Sequence, residues 1–138
     1  MEKIQFDSGV RTYRVNGKGV LTFNPADPNL YARFASAGEK LPEMEKTLFQ
    51  QAEGDMLSGL QAADRELKGL LSWVFPGNDF GEIFAGVNLL AVTQSGKTVM
   101  ENFLDALTPI LCQGAESCAE GYVKTAMDKA AARREMQC

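Results

Sequence analysis

From Pro42 to Phe75 the apolar residues fall at Met44, Leu48, Ala52, Met56, Leu60, Ala63, Leu67, Leu70 or Leu71, and Val74, always three or four positions apart. Only an α-helix gathers such residues on one side, so this stretch has to fold as helix with one face buried. Gly54, Gly59 and Gly69 each cost about 1 kcal/mol relative to alanine in a helix interior and leave room for a break or bend near Glu53-Gly54-Asp55. Pro76-Gly77-Asn78-Asp79 then stops the helix.

Other segments must cover that face. Val10–Val15 and Val20–Phe23 are β-prone runs separated by Asn16-Gly17-Lys18-Gly19, which tolerates positive φ, so a hairpin is expected there. Ile4-Gln5-Phe6 is a candidate third strand. An isolated hairpin is marginal in water, so a face carrying Tyr13 and Phe23 is expected to lie on the helices. Asp27 is a good N-cap and Pro28 suits the first helical position; Leu30, Tyr31 and Phe34 supply this helix's apolar face, with Gly38 its expected end.

A further helix is expected from Thr98, with Val99, Phe103, Leu104, Leu107, Ile110 and Leu111 on its apolar face. Pro109 either kinks it or begins a second segment capped by Thr108. A last helix, about 116–134, has Tyr122, Val123, Met127 and Ala130 to bury. The fold expected is α+β, mostly α, with an N-terminal β-hairpin on about four helices. It is read as a single domain, 1–138, divided into a hairpin region 1–24, helices 27–75, a connector 76–97 and C-terminal helices 98–135.

Composition narrows the function. The chain of 138 residues has no histidine, which removes the commonest general base, the usual zinc partner and every Ser-His or Cys-His dyad. A net charge of −4 argues against a nucleic-acid partner, whose phosphates require cationic contacts. The local basic group Lys124, Lys129, Arg133 and Arg134 reads as a solvated helix end. No stretch has the roughly 20 apolar residues of a membrane span, and Met1–Phe6 lacks the apolar core of a secretion signal. A cytoplasmic location is therefore expected, with no membrane partner. Cys112, Cys118 and Cys138 are read as reduced thiols; two thiolates alone cannot complete a tetrahedral zinc shell. Of the carboxylate pairs Glu43 with Glu45, Asp64 with Glu66 and Asp79 with Glu82, the first two do not face each other on a helix and none is expected to be a catalytic dyad; Asp64 with Lys68 reads as an exposed i,i+4 ion pair. Neither catalysis, a cofactor nor a metal is expected.

Two motifs meet between Trp73 and Thr98. Ala91–Thr98 fits a relaxed phosphate-binding loop, in which Gly96 and neighbouring amides would cradle phosphates, Lys97 would reach the outer ones and Thr98 would hold magnesium. Against it stand the missing first glycine, the absence of a later strand ending in aspartate, and helical neighbours where a parallel sheet is needed. Thr98 with Glu101 is more simply a capping box, leaving Ser95-Gly96-Lys97 as a turn. Upstream, Trp73, Phe75, Phe80, Ile83 and Phe84 crowd apolar bulk around Pro76, Gly77 and Gly81. They either fill the core or form an exposed patch for a partner protein.

The hairpin leading into Phe23-Asn24-Pro25-Ala26-Asp27-Pro28-Asn29-Leu30-Tyr31-Ala32-Arg33-Phe34, the long acidic helix, and Trp73–Phe80 running through Ile83-Phe84-Ala85-Gly86-Val87-Asn88 to Phe103–Leu107 resemble small proteins of phage and prophage tail modules in Gram-positive bacteria. The chain is similar over about residues 10–111 to the tail assembly chaperones of such modules. The resemblance implies a non-enzymatic, homo-oligomeric helper that coats the hydrophobic tape measure protein until tube subunits polymerise around it. It names no binding residues, so Trp73, Phe75, Phe80, Ile83 and Phe84 stand as the partner-binding candidates on patch chemistry alone. The alternatives are a structural tail component retained in the virion and a small nucleotide-binding protein using Gly96, Lys97 and Thr98.

Overall fold

The computed structural model describes residues 1–51 and 55–136, and the side chains of all of these except 45, 47–49, 51, 125, 126 and 128–136. Leu48, Lys129, Ala130, Arg133 and Arg134 are thus outside the described side chains, and Ala52, Glu53, Gly54 and Cys138 are outside the described residues. The order of elements is β1 (Arg11–Val15), β2 (Gly19–Phe23), α1 (Pro28–Gln51), α2 (Met56–Val74), α3 (Phe80–Ile83) and α4 (Val99–Met136). It is the expected α+β, mostly α fold: a hairpin packed on four helices.

The hairpin forms because Asn16 and Gly17 both take positive φ, 49° and 73°, and reverse the chain with a Lys18 N–H bond to the Val15 carbonyl. The antiparallel register sets Tyr13 opposite Leu21 and Arg11 opposite Phe23. Alternation then turns Tyr13, Val15, Leu21 and Phe23 to one side, where Leu21 and Phe23 are buried. Residues 4–6 do not add a strand. Ile4 and Phe6 are 88% and 79% exposed, and the chain at Gly9 is instead held beside Asn24, whose Nδ2 donates to the Ser8 carbonyl.

Helix α1 does not end at Gly38; it runs on through Pro42. Packing on α2 outweighs the local cost of both residues. Ala37 is buried just before the glycine, the Lys40 ammonium sits 4.1 Å over the Trp73 ring just after it, and Arg33 Nε donates to the Val74 carbonyl at 2.7 Å. The break foreseen near Asp55 is present as the start of α2, with the Asp55 carboxylate accepting from the N–H groups of Leu57 and Ser58.

Beyond α2, the expected connector contains the short helix α3, capped by Asp79. Past Thr98 there is one helix rather than two. Pro109 lies inside α4, and Thr108 caps nothing, its hydroxyl donating back to the Leu104 carbonyl. The 38 residues of α4 span about 57 Å. Its first half meets the body; Gly114 is buried where a Cβ would fall on the Pro25 carbonyl, and the Tyr31 hydroxyl is placed to donate to the Pro25 and Leu111 carbonyls, 2.6 Å from each. Burial pushes the Tyr31 hydroxyl up from its ordinary pKa, with Cys118 and Cys112 adding to the shift. The expectation that Tyr122, Val123 and Met127 are buried is corrected, because α4 has left the body by then: they are 66%, 59% and 67% exposed.

Candidate interaction surfaces

The aromatic residues expected to form a partner-binding patch are divided between core and surface. Phe75 and Phe80 are fully buried, Phe84 is nearly so, Ile83 is half-buried, and only Trp73 has substantial exposure, at 43%. The rings form a connected stack. Tyr13 lies on Phe23, Phe23 meets Phe75 edge-on, Phe75 touches Phe34 and Phe80, and Phe80 and Phe84 both pack on Phe103, with centroids 5.0–6.1 Å apart. One ring after another thus joins the hairpin, α1, α2, α3 and α4. Phe75, Phe80 and Phe84 are core rather than exposed patch, since they are where all these elements converge. Trp73 points outward under Lys40.

Polar side chains fix this crossing. Asn78 presents its amide to the outer edge of β2, accepting from Thr22 N–H and donating to the Thr22 carbonyl, each at 2.8 Å. It completes one rung of ladder that β2 would otherwise lack. The Ser72 hydroxyl donates to the Lys68 carbonyl and accepts from Phe80 N–H, fastening α3 to α2.

Asp64 is the largest departure from sequence expectation. It is buried, not exposed: its Oδ1 accepts from Leu89 N–H at 2.8 Å and its Oδ2 holds the Lys68 ammonium at 2.9 Å. Lys68 Nζ in turn donates to the Val87 carbonyl at 2.8 Å. The i,i+4 spacing was visible in sequence, but only the passage of 87–89 over α2 makes it a strut.

The phosphate-loop candidate closes on itself. Thr93 N–H donates to the Lys97 carbonyl, Gly96 N–H to the Thr93 carbonyl and Lys97 N–H to the Ser95 hydroxyl. Lys97 Nζ is paired with Asp105 at 2.8 Å, which raises its pKa through the hydrogen bond and the opposite charge. The Thr98 hydroxyl accepts from Glu101 N–H, the expected cap of α4. The amides and the lysine that a phosphate would need are therefore engaged within the turn and with α4.

Two exposed apolar features remain. Every described residue of α4 after Gly114 is exposed except half-buried Cys118, and Cys118 with Tyr122 and Val123 with Met127 form two i,i+4 pairs on neighbouring parts of its surface. At the first turns of α2, Met56, Leu57 and Leu60 are likewise exposed. Separately, a cleft of about 350 Å³ lies between the hairpin and α4. Its walls are Tyr13, Arg14, Val15 and Asn16 on one side and Val99, Phe103, Leu107 and Ile110 on the other. The sequence hid this cleft, since its α4 residues read as an ordinary apolar helix face.

Among the described residues there is no helix long and apolar enough to cross a membrane and no cluster of metal-ligating side chains. The chain matches no protein-family model, no curated protein and no solved structure.

Proposed function

We propose that this protein is an assembly chaperone of a phage or prophage tail module, binding the tape measure protein in the host cytoplasm without chemistry of its own. The observation that carries the proposal is the far half of α4, a solvated helix that keeps Tyr122, Val123 and Met127 exposed. A solvated helix carrying exposed apolar side chains suits the temporary cover of another protein's apolar helices, a contact in which such side chains act as anchors. The sequence resemblance over about residues 10–111 supports the same role. Trp73 is the one member of the original aromatic group still able to add to such a surface. A homo-oligomer would multiply these weak contacts on one long partner.

The test is co-expression with the long coiled-coil-rich reading frame of the same tail module. The chaperone should keep that partner soluble, and the pair Tyr122→Asp and Met127→Asp should release it while the variant itself stays folded. A partner equally insoluble with and without this chain would refute the reading. Mass spectrometry of finished particles separates the alternative of a structural tail component, which would remain in them.

A further inference from the structure

We propose that residues 3–6 of one chain add as a third strand to the outer edge of β1 in a second copy, setting Ile4 and Phe6 into the cleft between β1 and α4. This inference does not depend on the tail-chaperone reading.

The edge is open. Among the described residues the sheet has two strands, and β2's far side is engaged at Thr22 by Asn78, so β1 carries the unpaired edge. Unpaired strand edges template the addition of another strand. The cleft runs under the inner face of the hairpin, lined by Tyr13, Val15 and Leu21, and reaches the β1 edge, because Arg14, which alternates to the other side of the strand, lines it too. At about 350 Å³ it sits at the small end of ligand-sized clefts, and its far wall is mostly apolar, with Val99, Phe103, Leu107 and Ile110 beside one polar residue, Asn102.

The occupant has strand alternation and no place in its own sheet. Lys3-Ile4-Gln5-Phe6 turns Ile4 and Phe6 to one side when extended, and both are largely exposed in the isolated chain. Its own β1 is disfavoured as the acceptor, because the turn before β1 is tied elsewhere. Asp7 accepts from Gly9 N–H, Gly9 takes φ +77°, and Ser8 is bonded to Asn24, the residue just after β2. A Cβ on Gly9 would stand 2.7 Å from the Asn24 amide, so the chain there is pressed onto the β2 end of the hairpin rather than free to double back along β1. Charge favours the same pairing. When residues 2–6 are extended, Glu2 falls on the side of Ile4 and Phe6, the side on which the acceptor strand carries exposed Arg11.

The test uses the full chain. Sedimentation equilibrium should show concentration-dependent self-association, and Ile4→Asp with Phe6→Asp should raise its dissociation constant by at least about tenfold. Both side chains are exposed, so the variant's circular dichroism and thermal midpoint as a dilute monomer should match the parent. NMR on a mixture of isotope-labelled and unlabelled chains should give contacts between the Phe6 ring and Phe103 or Ile110 that cross between molecules. A chain that stays monomeric, an association indifferent to the double substitution, or Phe6 contacts confined to one molecule would each overturn the proposal.

Discussion

The segment joining α2 to α4 has two halves that use similar residues to opposite effect. Residues 75–90 are anchored to elements earlier in the chain, at Thr22 through Asn78, 56 residues away, at Asp64 through Leu89, 25 away, and at Ser72 through Phe80, 8 away. Residues 91–98 are held by bonds among themselves and to the helix that follows. Each half is held by an Asp–Lys pair of nearly equal length, 2.9 Å for Lys68–Asp64 of α2, which bonds to residues 87 and 89, and 2.8 Å for Lys97–Asp105, which ties the second half to α4. The side chains of Lys68 and Asp64 are 15% and 13% exposed, and those of Lys97 and Asp105 are 53% and 59% exposed. Distance is therefore no guide to what a pair contributes; water access and the groups left behind decide it.

The sharpest contrast lies at the aromatic centre of the first half. Phe80→Ala removes a fully buried ring that touches Phe75, Phe84 and Phe103, and should cost about 3–5 kcal/mol in urea unfolding. A loss below about 1 kcal/mol would mean that the ring is not at the centre of the core. Next in size is Asp64→Ala, which leaves Leu89 N–H buried without its acceptor and Lys68 without its charge partner; roughly 2–4 kcal/mol should be lost. Asp64→Asn keeps an acceptor for Leu89 and should cost less. Equal losses for the two variants would assign the strut's value to charge alone.

The second half should barely respond. Lys97→Ala breaks an exposed pair, and the thermal midpoint at neutral pH should stay within measurement error of the parent. Because Asp105 raises the Lys97 pKa above the ordinary 10.5, whatever the pair contributes is fully present below that value and disappears as pH rises through the raised one. The difference between parent and variant should therefore be flat across neutral pH and close only in strong alkali. A Lys97 dependence as large as that of Asp64 would erase the distinction between the halves.

Much of this was legible from residue spacing. The hairpin is specified by Asn16-Gly17 between two β-prone runs, α2 by its apolar period, and the start of α4 by Thr98, because each depends on residues within a turn or two of one another. Gly38 and Pro109 misled for the complementary reason. Their local costs are real, but α1 is carried through by Lys40 on Trp73 and Arg33 on Val74, contacts that lie more than thirty residues away in the chain. The aromatic candidates posed the same difficulty. A phenylalanine in a core and one on a docking surface have the same sequence, and only the convergence of five elements on Phe75 and Phe80 buries them.

By itself the sequence determined the element types, the turns and caps, the acidic histidine-free surface, and the apolar stock available for burial. Those are properties of single residues and near neighbours. Tertiary structure decided which apolar residues that stock left outside, at Trp73, Tyr122, Val123 and Met127, and which polar ones it took in, at Asp64. It also opened the cleft beside β1. Burial is a property of what other segments cover, and covering is settled only when distant parts of the chain meet.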